Sequence, residues 1–371
     1  VDWPLPDRAE IASILDSVIA ALPDDIRDSA APNGTREAAI DAAVGLTAEE
    51  AQACYARSLV QSRKIVPRDV SLEKRRVISR EKVLEWYDPI SGGLDAVGGL
   101  DLLKSWLVSR RAAFTREARA YGLPAPKGAL LVGIPGCGKS LTAKAIATAW
   151  GVPLLRLDLG ALKSKWVGDS EANIRKALKV AETVAPCVLW LDEIEKALSG
   201  ATQGAADGGV SADALGTILS WMQERQGDVF VVATANDVRA LPPELLRKGR
   251  FDELFFVDLP TTSERAAIVA AALRAHNRTE SIDLQAVARA CQDFTGSEIA
   301  ALVPDALYTA FSDGARPLST ADLVAAAGAT VPLARTSADR IQAVRDWARG
   351  RARSASSPEE SSAQSVRSLD L

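Results

Sequence analysis

The sequence predicts an α/β protein: a parallel-sheet core of the phosphate-binding kind, a small helical unit after it and a helical region before it. Three observations carry this. From Asp101 to Val257, helical stretches alternate with the short apolar runs Gly128–Val132, Leu154–Leu157, Cys187–Leu191, Val229–Thr234 and Leu254–Val257, the pattern of strands covered on both faces. The first run opens directly on Gly133-Ile134-Pro135-Gly136-Cys137-Gly138-Lys139-Ser140, a Gly-x4-Gly-Lys-Ser loop between a strand and a helix. After Pro260 the apolar runs stop and helical periodicity takes over.

At the N-terminal end, Ile11, Ile14, Leu15, Val18, Ile19 and Leu22 lie at three-and-four spacing, one helical face that stops at Pro23. Thr35–Val44 and Thr47–Val60 predict two more helices, the latter opened by Thr47 with Glu50 three residues on. From Arg57 to Glu85 nine basic residues stand against four acidic ones, either a solvated helical face or subunit contact, or a polyanion patch. The turn-rich stretch around Pro89–Gly99 marks a boundary. Within the core, Asp101–Arg119, Ser140–Trp150, Glu171–Val184 and Ala212–Arg225 predict helices; beyond it, Ser263–Ala275, Leu284–Cys291, Ser297–Phe311 and Thr320–Ala327 do. The expected organisation is therefore 1–90, a helical region ending a longer N-terminal domain; 91–260, the large α/β part; 261–335, a small helical lid; and 336–371, a C-terminal helix and serine-rich tail. From Arg351 on there is little to bury, so disorder is expected. No internal repeat is evident.

Composition bounds the function. The 371 residues suffice for two or three domains, and 44 Lys+Arg against 48 Asp+Glu give a net charge of -4, with no global field for nucleic acid. Cys54, Cys137, Cys187 and Cys291 are far apart, which argues against a zinc site or disulfide framework and fits a reducing compartment. No uncharged apolar run has membrane-helix length, and residues 1–22 carry acids unlike a signal peptide, so a soluble intracellular protein is expected. The chain starts at Val1 and its one methionine is Met222, so an upstream segment is expected to be missing.

The glycine loop lets backbone N–H groups converge on phosphate oxygens at a helix N-terminus. Lys139 is placed to reach the β and γ phosphates and the Ser140 hydroxyl to ligate Mg²⁺; Cys137 reads as a spacer, with a redox switch at the helix start as the alternative. Cys187–Leu191 ends in Asp192 and Glu193, so the strand aims both carboxylates at the ligand-binding end of a parallel sheet. Asp192 suits Mg²⁺ and Glu193 the polarisation of an attacking water. Asn236, at the tip of Val229–Asn236, can hydrogen-bond the γ-phosphate or that water.

With the loop, the acid pair and the Asn strand in this order, the chain resembles an AAA+ ATPase of the AAA clade proper, from about Leu94 to Ala327. Leu241–Asp252 is similar to the clade's second region of homology, which implies that Arg247 and Arg250 are arginine fingers reaching a neighbour's nucleotide, and hence a homo-oligomeric ring, a hexamer in this family. Val97-Gly98-Gly99-Leu100 resembles the adenine-side motif and Thr295-Gly296-Ser297-Glu298-Ile299 the lid motif. The implied ATP-binding set is then Val97, Gly98, the loop from Gly133 through Leu141, Gly296 and Ser297, with ATP and Mg²⁺ as ligands. Two departures stand out: Ala272 replaces the lid histidine, leaving His276 as a surface residue, and Glu195 stands where many relatives have Asp. Ser164–Glu171 resembles the first pore loop of protein-unfolding members, which makes Lys165, Trp166 and Val167 the expected grip on a protein client, with Ser199–Gly209 in the second pore loop's place.

A narrower resemblance rests on Gly99–Leu107, Tyr121–Gly128, Ala185–Trp190 and Val331–Thr336. Together these are similar to the AAA family encoded by a hypothetical chloroplast reading frame in red-algal plastids and found in cyanobacteria. The resemblance implies cyanobacterial cytosol or plastid stroma and suggests a link to photosynthetic carbon use. The expected activity is Mg²⁺-dependent ATP hydrolysis coupled to remodelling or threading of a protein client. A nucleic-acid motor and a nucleotide-gated scaffold are the alternatives, nucleic acid being disfavoured by charge.

Overall fold

The computed structural model describes residues 6–31, 35–78, 84–114, 116–159, 170–196, 210–225, 227–247 and 249–358. These fall into two compact units: the described residues of Val1–Asp88, Val152–Asp192 and Lys196–Val231, and those of Pro89–Gly151, Glu193–Glu195 and Val232–Leu371.

The first unit opens with helices α1 (Arg8–Ala20), α2 (Asp24–Ala30), α3 (Thr35–Ala43), α4 (Ala48–Ser62) and α5 (Pro67–Ile78). The expected Thr47–Glu50 capping box starts α4, and an equivalent Asp7–Glu10 box starts α1, each satisfying orphan N–H groups of the first turn. Ile11, Leu15, Ile40, Leu46, Tyr55, Ile65 and Val70 form one buried cluster, into which α1 brings the apolar stripe legible in the sequence. Four basic residues of the Arg57–Glu85 stretch are consumed internally. Arg57 and Arg76 both pair with Glu73 at 2.5 Å, Arg75 pairs with Asp88, and buried Lys74 donates to the Val44 carbonyl. The unit also holds β1 (Leu84–Tyr87), β3 (Leu154–Leu157), β4 (Cys187–Leu191) and helices α9 (Ser170–Val184) and α10 (Val210–Glu224). β3 runs parallel to β4, whereas β1, which the sequence did not signal, is antiparallel to β3.

The second unit contains α6 (Asp101–Arg111), α7 (Arg116–Ala120), β2 (Gly128–Gly133), α8 (Lys139–Trp150), β6 (Glu253–Val257) and β7 (Arg353–Ser354); β5 (Val229–Ala235) begins in the first unit and ends in the second. β2, β6 and β7 are parallel neighbours. The strand order of the seven-stranded sheet is β1-β3-β4-β5-β2-β6-β7. The chain order therefore breaks on either side of β2, and ligands of such sheets bind at that switch, beyond the strands' carboxyl ends. β2, β4 and β5 are buried along their whole length, as apolar strands of a covered parallel sheet should be.

The lid follows as α11 (Thr262–Ala275), α12 (Leu284–Ala290), α13 (Gly296–Ser312) and α14 (Thr320–Ala329), then α15 (Leu333–Thr336) and α16 (Ala338–Ala348). Capping boxes Thr261–Glu264, Thr295–Glu298 and Ser319–Asp322 start three of these helices. Residues 351–358, expected as the start of a disordered tail, are instead ordered: β7 adds to the β6 edge and Ala355 is fully buried, with its N–H on Phe256 O at 2.9 Å. Backbone pairing at an open sheet edge needs no apolar side-chain pattern, which is why composition missed it. The two helical bundles share a pattern of contacts. In the N-terminal region α1 packs on α3 and α4, and α5 on the same two; in the lid α11 packs on α12 and α13, and α14 on the same two. The third helix of each circuit carries a Thr-x-x-Glu box.

Candidate active site

The phosphate loop leaves β2 at Gly133 and enters α8 at Lys139, with Gly138 left-handed at φ 92 as the N-cap. Gly136, at φ 78, is close to the lid: a Cβ there would lie 2.3 Å from Ser297 Oγ, and its carbonyl accepts the Ser297 N–H at 2.8 Å. Gly296 lies beneath the same carbonyl, 3.3 Å from where its own Cβ would be. The lid motif is thus brought onto the loop by backbone contacts that larger residues would block. Lys139 is buried, its ammonium donating to Gly133 O at 3.0 Å and Ile134 O at 2.7 Å. A cation held over glycine-rich loop carbonyls at a helix N-terminus fits a polyphosphate anion. Cys137 is buried beneath the loop, and burial pushes its thiol up to about 12, an inert spacer rather than a thiolate. Ser140 is half-buried and Leu141 exposed at the first turn.

Opposite in sequence, Glu193 has a left-handed backbone, φ 48, which costs a non-glycine residue about 1–3 kcal/mol. Two bonds fix it: its N–H donates to Thr234 Oγ1 at 3.0 Å, and its Oε1 accepts from Asn236 Nδ2 at 3.1 Å. The predicted carboxylate and amide are therefore in direct contact. The Asn236 N–H in turn donates to Glu195 Oε1 at 3.0 Å. Glu195 is buried, its Oε2 making no hydrogen bond among the described residues, and burial raises its carboxyl above the ordinary range. The sequence marked Glu195 as a departure from the clade without fixing its effect, and gave Thr234 no role; a hydroxyl inside an apolar strand was the available signal. Asp192, in the other unit, faces Arg156 at 3.5 Å, while Arg156 lies 5.2 Å over the Trp190 ring.

Val97 is buried, and its Cγ1 would be 4.0 Å from a Cβ on Gly138. Gly98 and Gly99 lie against α11, where Cβ atoms would approach Ile268 and Glu264 to 2.5 and 2.4 Å. This links the adenine-side segment to the lid. His276 caps the end of α11 at the surface, as expected, and Ala272 is buried in the lid core. Arg247 is exposed after a 3-10 turn at Pro243–Leu246, and Arg250 is half-buried with its Nε making no hydrogen bond among the described residues. Lys165, Trp166, Val167 and Ser199–Gly209 lie outside the described residues. Among the described residues no cluster of three or more His, Cys, Asp or Glu could hold a metal by itself, and no helix is long and apolar enough to cross a membrane.

The family model "ATPase family associated with various cellular activities (AAA)" matches residues 129–259, from β2 through β6. The crystal structure of the FIGL-1 AAA domain superposes with a TM-score of 0.60 at 21% identity, over 76% of this chain and 96% of that one, a likeness of fold. Loop, sheet order and lid thus define an AAA ATPase with the α/β P-loop fold. A second model, "SpoVK-like AAA ATPase, second domain", matches residues 9–81, the α1–α5 bundle. Within the class, the chain belongs to the ycf46 family of AAA domain-containing proteins. It is 41% identical to the Pyropia yezoensis member over 96% of this chain and 72% of that protein. The Guillardia theta and Trieres chinensis members are each 40% identical, over 93% and 95% of this chain and 68% and 71% of theirs.

Proposed function

We propose that this protein hydrolyses ATP with Mg²⁺ and spends the cycle on remodelling a protein client. The observation that carries the chemistry is the Glu193–Asn236 hydrogen bond in the unit that also holds the phosphate loop. Glu193 is the base that takes a proton from the attacking water, and Asn236 orients its carboxylate and reports on the γ-phosphate. Lys139 and the loop from Gly133 through Leu141 hold the phosphates, the backbone donors being the N–H groups other than those of Pro135, which has none, and Ile134, which is bonded to Val257 O. Ser140 and Asp192 are the Mg²⁺ residues; the metal, when bound, neutralises charge on the β and γ oxygens. Val97 and Gly98 take the adenine side, and Gly296 and Ser297 back the loop.

Arg247 and Arg250 act from a neighbouring subunit, which makes a ring, a hexamer by family, the working form. Lys165, Trp166 and Val167 grip the client. The internal pairing of Arg57, Arg75 and Arg76 disfavours a nucleic-acid motor. The ycf46 relatives of plastid-bearing algae support a stromal or cytosolic setting, and service to photosynthetic carbon use is part of the same proposal.

Glu193→Gln tests the base. It should bind ATP as the parent does, lose turnover by about 100-fold or more, and trap client. A variant that turned over ATP normally would remove Glu193 from the mechanism.

A further inference from the structure

The chain beyond α16 takes no part in the ATPase scheme, yet it is tightly bonded. β7 lengthens the sheet past β6, and the Leu103 N–H donates to Ala355 O at 3.0 Å. Two serines then end on two carboxylates. Ser356 Oγ donates to Glu264 Oε1 at 2.6 Å; Ser357 donates to Asp101 from its N–H at 2.8 Å and also from its hydroxyl.

Both carboxylates meet the segment Val97–Leu100 at its Leu100 end. Asp101 is the residue immediately after it, the first of α6. Glu264 Oε1 accepts the Leu100 N–H at 2.7 Å, and its Oε2 accepts the Thr261 N–H at 2.9 Å. Leu100 itself has φ 56, a left-handed conformation that a branched side chain adopts only where its surroundings enforce it. Glu264 accepts the N–H of this residue, and Ser356 is one of the donors to that carboxylate. On the inner side Lys104 donates to Val97 O. A segment held in an unfavourable backbone conformation relaxes when one of its ties is cut, and a base pocket built on it then loses its shape.

We propose that Arg353–Ser357 is a positioning strap that holds Val97–Leu100 in the conformation that takes the adenine. This rests on the assignment of Val97 and Gly98 to the base. Its consequence is specific: the strap sets nucleotide affinity and base preference, not the rate of the chemical step, whose residues lie elsewhere.

The test uses the full chain, with ATP and GTP dissociation constants from calorimetry and steady-state kcat and KM for ATP. Ser357→Glu puts a carboxylate against Asp101 and should weaken ATP about fivefold, with kcat changed by less than about twofold. Adding Asp101→Lys should restore ATP affinity, a rescue that general damage would not produce. A chain ending at Ala352 should weaken ATP about tenfold and narrow the ATP-over-GTP preference; if it fails to fold, the charge pair still decides. Val97→Asp separates the two assumptions. If it weakens ATP while Ser357→Glu binds as the parent does, the strap is refuted alone. If Val97→Asp binds ATP normally, the base assignment fails and the strap's role falls with it. Loss of kcat at unchanged affinity, or no rescue by Asp101→Lys, also overturns the proposal.

Discussion

Gly98→Ala probes the packing of the base-side segment on the lid. A Cβ at this position would lie 2.5 Å from Ile268 Cγ1, 2.6 Å from Ile268 N and 2.7 Å from Ile268 Cα. The side-chain carbon could rotate away; the helix backbone cannot. Carbon contacts are favourable near about 3.5–4.0 Å, so segment and helix must part by about 1 Å. Overpacking of this kind costs about 1–3 kcal/mol. Gly314→Ala is the control. Gly314 has φ 73 with nothing within 4 Å of a Cβ, so its cost is conformational, again about 1–2 kcal/mol, with no steric reach toward the site. Urea unfolding followed by tryptophan fluorescence should therefore show comparable losses for the two variants. ATP affinity should separate them: about tenfold weaker for Gly98→Ala, unchanged for Gly314→Ala. Parent-like affinity in Gly98→Ala would mean that contact between this segment and α11 does not shape the nucleotide site.

Glu195→Gln keeps the acceptor for the Asn236 N–H while removing a charge that burial disfavours. Because the folded carboxyl titrates above its unfolded value, its ionisation costs stability as pH rises through the window from the ordinary glutamate value to the raised one. The variant should match the parent below that window and exceed it in urea midpoint at pH 8; equal midpoints at both would refute the burial account. Cys137, with its thiol pushed up to about 12, should resist a disulfide reagent at pH 8 in the folded protein and react once it is unfolded in urea. Thr47→Ala removes the hydroxyl that accepts the Glu50 N–H at 3.3 Å and should cost about 1 kcal/mol in urea unfolding, leaving ATP affinity intact.

The sheet strands were legible because buried parallel strands are apolar end to end, and Gly133–Ser140, Asp192, Glu193 and Asn236 because their spacing follows strand ends. What escaped has physical reasons. β1 and β7 are edge strands, where backbone pairing suffices and Leu84-Glu85-Trp86-Tyr87 or Arg353-Ser354 show no run. Glu264 was visible as a helix start through Thr261, but its bonds to Leu100 and Ser356 span 164 and 92 residues. The effect of Glu195 could not be read from the sequence because a one-dimensional pattern carries no burial. The shared pattern of helix contacts was hidden because the two bundles bury different side chains.

That circuit leaves a difference at one corner. Where the lid presents Gly296 and Ser297 to the phosphate loop, the N-terminal bundle has Ala48 and Glu49 at the matching helix start. A methyl there keeps another backbone at arm's length, and an exposed acid turns anions away. The corner that packs on the glycine loop in the lid is thus, in the N-terminal bundle, bulkier and negatively charged.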